Sequence, residues 1–129
     1  MLNRLLFIFA RIAFGAKFAR DGYDNLASTD DMVAYADSVG VPFANVLVPA
    51  ASFLLFAGGI LLALGLAPLL GIVGIATFLL GVTPQMHDFW NMEGDERDEE
   101  FDAFLRNASF LGAAIAFAVT MRERKANAN

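Results

Sequence analysis

From Ser38 to His87, 50 consecutive residues carry no Asp, Glu, Lys or Arg. As helix, at about 1.5 Å per residue, that run covers roughly 75 Å, enough for two bilayer crossings. A soluble fold of this size could not hide so long an uncharged stretch without large exposed apolar patches. Polar breaks divide the chain into four helical segments, over residues 3–22, 44–66, 69–84 and 104–121. The second is apolar throughout ("FLLFAGGILLALGL"), and Pro68 opens the third, a position proline suits. The short "GLAP" turn makes these two antiparallel neighbours. Between the first and second segments, "STDDMVAYADSVG" predicts a short helix capped by Ser28, Thr29 or Asp30 and ended by Gly40.

The pattern therefore predicts an all-α membrane protein: one membrane domain, a four-transmembrane-helix bundle, with residues 122–129 as a disordered basic tail. Composition agrees: hydrophobic residues make up 57% of the 129, Phe accounts for 13, and mean hydropathy is +0.55. The first segment is the weakest span, because it carries Arg4, Arg11, Lys17 and Arg20. Its apolar run breaks at Arg11, too early for a signal peptide, so an uncleaved helix is expected. Lying flat in the interface instead, it would leave three crossings.

Charge adds an orientation. The positive-inside rule counts Lys and Arg. Arg4 near one end and Arg122, Arg124 and Lys125 near the other place both termini in the cytoplasm, in keeping with an even number of crossings. The segment "HDFWNMEGDERDEEFD", with eight acids against Arg97, then reads as an outward acidic loop, as does the Asp-rich stretch after the first helix. A cell-membrane, multi-pass location follows. The lipid bilayer is the expected partner, with no role for nucleic acid.

The chain has no cysteine and a single histidine. Thiolate metal sites, disulfides and thiol redox chemistry are excluded for these residues, and one His cannot build a haem or zinc site. No metal and no intrinsic cofactor are expected, so a redox role would borrow its centre from a partner. Arg4, Arg11, Gly15, Phe18 and Gly22 share one narrow helical face. Small residues on such a face, like Gly58 and Gly59 in the second segment, let helices approach closely in lipid. Arg11 lies about 12 Å into its helix, where facing lipid is costly. It either holds an anionic or carbonyl ligand or bonds backbone carbonyls and snorkels. His87, Asp88 and Trp90 stand at the end of the third segment. His87 is able to carry protons or bond a quinone carbonyl, whereas Trp90 fits the aromatic belt of a membrane boundary.

In order and spacing, "RIAFGAKFARDG", "GVPFANVLVPAASFLLFAGGILLALGL", "MHDFW" and "FLRNASFLGAAIAFA" resemble the DoxX family of small integral membrane proteins, from Arg4 to about Val119. The resemblance implies a four-helix membrane bundle. It also implies, less specifically, a quinone-associated subunit of a membrane oxidoreductase complex. The family takes its name from a subunit of a quinone-reducing, sulfur-compound-oxidising complex, and other members resemble partners of redox-defence proteins. Many members carry a Glu one turn before the glycine pair of the second helix and a Lys after the glycine that ends the first. Leu55 and Asn25 stand there here. Matched residue by residue, Arg11 and His87 remain as ligand-binding candidates, with Asp88 and Trp90 beside the histidine. The alternative to a quinone-binding subunit is a non-catalytic membrane adaptor or structural partner protein, whose outward acidic loops dock a partner or only maintain solubility. A redox enzyme partner subunit or a homo-oligomer is the partner expected.

Overall fold

The computed structural model describes residues 1–128. The helices are α1 (Leu2–Ala27), α2 (Thr29–Ser38), α3 (Ala44–Leu64), α4 (Pro68–Met86) and α5 (Gly94–Ala128), with a 3-10 turn at Phe89–Asn91. Among the described residues there is no strand. Three helical stretches are long and apolar enough to cross a membrane: α3, α4 with its 3-10 turn, and α5. The charges of α1 keep it out of that set.

Packing places α1 beside α3 all the same. A Cβ on Gly15 would lie 2.7 Å from the Gly59 carbonyl oxygen and the Ala63 nitrogen, and one on Gly22 would strike the Phe56 backbone. Arg11 lies against Gly65. Rising numbers on α1 thus meet falling numbers on α3, so the two helices run antiparallel at backbone contact. The α3–α4 seam is built the same way. A Cβ on Gly71 would sit 2.5 Å from the Gly58 carbonyl oxygen. Lipid tails are as apolar as leucine, so close van der Waals contact of this kind is the main force joining helices there.

Gly65 permits the sharp α3–α4 reversal through its φ of +75°. Gly40, at φ +88°, follows the end of α2, and Ser28 stands before its first residue without a side-chain capping bond. The Thr29 hydroxyl donates back to the Leu26 carbonyl at 2.6 Å, stitching α2 to α1. Pro49 and Pro84 lie inside helices, and α4 runs past Pro84 to Met86.

The fourth segment differs most from expectation. Helix α5 has 35 residues and begins at Gly94, so most of the segment read as an acidic loop is helical. Its Asp95 and Glu96 occupy the first turn, where the helix dipole favours negative charge. The segment read as a disordered tail is helical through Ala128, and Asn129 lies outside the described residues. Across from α1, α5 is joined by rings rather than backbone. Phe7 and Phe14 pack on Phe117 at 5.8 and 5.1 Å, and Phe18 meets Phe110 edge-on at 5.4 Å. The core between the helices holds Leu55, Leu62, Ile72, Ile75 and Leu79.

This topology sorts the charges. At one end, the acidic end, lie α2, the start of α3, the 3-10 turn and the start of α5. At the other, the basic end, lie the start of α1, the α3–α4 turn and the end of α5, where Arg124 stacks 4.4 Å from the Phe7 ring. Of the 14 acids, only Glu123 lies at the basic end.

Candidate functional site

At the acidic end the α1–α5 seam opens into a cavity of about 790 Å³. Phe18, Leu55, Phe78 and Leu79 wall its deeper part, and Lys17, Tyr35, His87, Arg106 and Asn107 bring polar groups to it. They come from four places in the chain, Arg106 and Asn107 being neighbours on α5. Lys17 lies one turn before Asp21 on α1, and the pair forms a hydrogen-bonded salt bridge. Its ammonium also lies 5.3 Å from the Phe18 ring and 5.1 Å from Phe110, so two ring faces help hold a cation in an apolar seam.

His87 stands just past the end of α4, and its backbone N–H donates to the Thr83 carbonyl at 3.0 Å. Its Nδ1 lies 2.6 Å from Glu100 Oε2, both side chains about one-fifth exposed. With the ring donating from Nδ1, Nε2 remains as the second polar atom. Burial, and then the charges of Glu100, Asp88 and Glu96, push the Tyr35 phenol above its ordinary value of 10.0. Tyr35 therefore stays protonated, a hydrogen-bond donor on α2 at the mouth of the cavity.

The four residues singled out by sequence do not form one site. Arg11 lies at the basic end, beside Gly65, with its Nε buried and making no hydrogen bond. Cationic charge is favoured there by the dipole at the end of α3. Helix α4, with 19 residues, separates the two ends by about 28 Å. No small ligand reaches both Arg11 and His87. Asp88 accepts from Asn91 Nδ2 at 3.1 Å and closes the turn after α4. Trp90 is 54% exposed and packs edge-on to Phe89 and Phe104. Lys17 and Arg106, which stand by His87 in Arg11's stead, were legible only as charges in apolar helices. Which seam they face depends on the order of helices around the bundle.

The DoxX family model matches residues 6–88, which takes in α1 through the His87 corner. This chain belongs to the DoxX family. The DoxX match ends at Asp88, so the long α5 that closes the cavity lies beyond it. Over 116 residues the DoxX chain is 28% identical to the inner membrane protein YphA of Escherichia coli, covering 90% of this chain and 83% of that protein. No solved structure matches it. With its apolar helices, this DoxX protein is a multi-pass protein of the cell membrane.

Proposed function

We propose that this DoxX protein is a quinone-binding membrane subunit that works with a partner oxidoreductase, and that the cavity at the acidic end holds the quinone head. The observation that carries the reading is the composition of that cavity. Aromatic and aliphatic walls suit a flat ring, and donors from Lys17, Tyr35 and Asn107, with Nε2–H of His87 when its ring is an imidazolium paired to Glu100, suit ring carbonyls. A quinone bound there would accept electrons from the partner. This chain's own part is to orient the ring, exclude water and donate hydrogen bonds. The reading includes α1 as a fourth crossing, supported by its antiparallel backbone contact with α3. It places the basic end, with both termini, in the cytoplasm.

Trp90, the lone tryptophan, does not line the cavity but stands three residues from His87, which does, and so serves as the nearby quenching reporter. In nanodiscs, decylubiquinone is expected to quench it saturably. Lys17→Gln and His87→Ala should each weaken apparent affinity about tenfold, the value of one lost charge-assisted or neutral hydrogen bond of about 1.4 kcal/mol. Quenching that rises linearly with quinone, alike in all three proteins, is partitioning into lipid and sinks the reading. A second reading, a membrane adaptor, is favoured by the gathering of acids at one end. It expects that neutralising Asp95, Glu96, Asp98 and Glu99 abolishes a partner complex that the cavity substitutions leave intact.

A further inference from the structure

A second cavity, of about 420 Å³, lies under α2 between α3 and α4. Leu47, Ala51, Leu54 and Gly81 belong to it alone. Asn25, Met32, Phe78, Val82 and Met86 line both cavities, so the two share a wall. Methionine is the most adaptable apolar side chain, and a wall built on Met32 and Met86 can part at little cost. The surroundings of the two cavities differ sharply. One mixes basic, amide and phenolic groups with rings and the Asp21 and Asp24 carboxylates, whereas the other offers almost only hydrocarbon, with Asn25, Gln85 and two hydroxyl side chains as exceptions.

We propose that the apolar cavity is a tail-binding site, which takes the alkyl or isoprenoid chain of the same amphiphile whose polar head occupies the neighbouring cavity. The inference rests on the head-group reading above and adds a ligand class to it: a two-part molecule, ring plus chain, rather than a bare ring. The shared wall is what selects this occupant. A chain leaving the head cavity past Phe78 enters hydrocarbon without passing through water. Its burial between α2, α3 and α4 orders it, so chain length becomes a determinant of affinity. Helix α2 acts as the roof over both compartments, through Met32 on its inner face.

Gly81 provides the test, because a Cβ there meets nothing within 4 Å and the residue lines only the tail cavity. Gly81→Phe fills the space without disturbing the glycine seams. Trp90 quenching is measured in nanodiscs with decylubiquinone and with a tail-less dimethoxybenzoquinone, both expressed as mole fraction in lipid. The wild type should favour the decyl compound by tenfold or more. Gly81→Phe should cut that preference below threefold and leave tail-less binding unchanged. A parallel arm uses a diazirine-bearing dodecyl chain that has no quinone ring. Saturable photolabelling near Ala51 and Gly81 is expected in the wild type and its loss in Gly81→Phe. If the ringless chain labels saturably while neither quinone saturates, the quinone reading falls and the tail site stands. If both quinones saturate with equal affinity and photolabelling is linear, the second cavity takes up bulk lipid only and the tail site is overturned.

Discussion

Helix α1 meets its two long neighbours, α3 and α5, in opposite ways. Against α3 it presents Gly15, Ala19 and Gly22, and backbone touches backbone. Against α5 it presents Phe7, Phe14, Phe18 and Lys17, and the helices stay a ring's width apart. The glycine seam leaves no room for any ligand. The phenylalanine seam leaves the cavity. A helical bundle has to close somewhere to be stable and stay open somewhere to keep a cavity, and here one helix does both with two faces.

The comparison is broken most severely at Gly59. A Cβ there would lie 2.5 Å from the Gly15 carbonyl oxygen, so Gly59→Leu cannot be absorbed by a rotamer change. The loss should exceed the roughly 1–3 kcal/mol of overpacking in a core able to shift. Thermal unfolding in detergent should show it. The chain has no cysteine, so Asn3→Cys and Asn127→Cys are clean labelling reporters. Both should be modified from the same side of the membrane, and adding Gly59→Leu should make the Asn3→Cys pattern heterogeneous. Modification from opposite sides would mean that the seam does not carry α1 across.

At the other seam, Phe18→Ala should cost less than the roughly 3–5 kcal/mol of a Phe→Ala change in a soluble core, because lipid supplies no hydrophobic drive. An equal loss of thermal stability in Phe18→Ala and Gly59→Leu would erase the distinction between the seams. The smallest effect belongs to Tyr35, at the open seam's mouth. Its raised value means that the stability tied to the protonated phenol is whole below pH 10.0 and fades as pH climbs through the higher folded value. Absorbance titration should show one phenol ionising late, and Tyr35→Phe should remove that component. A titration curve unchanged by the substitution would contradict the assigned surroundings.

The ends of α3 and α4 could be read to within two residues, because an uncharged run has visible edges and Pro68 and Gly65 mark the reversal. The start of α5 could not. A dense run of acids has the look of a solvated loop, yet Phe101 and Phe104 pack on Phe89 and Glu100 holds His87, and those long-range contacts set it as helix. For the site, a lone histidine beside aromatics was visible in the sequence. Pairing it with Arg11 was not sound, since two residues matched to one family pattern can lie at different depths. Lys17 reaches the histidine's cavity because α5 closes the ring of helices beside α1, which no local pattern encodes.

Helix α5 reaches about 52 Å end to end, against a hydrocarbon core of about 30 Å. No proline interrupts it. It is therefore a stiff rod longer than the membrane is thick, acidic where it emerges on one face and basic on the other. A rod turns as a whole. Any turn of its acidic end moves Glu100, which holds His87, and Arg106 at the cavity, and swings Arg122 and Arg124 at the far end in the same motion.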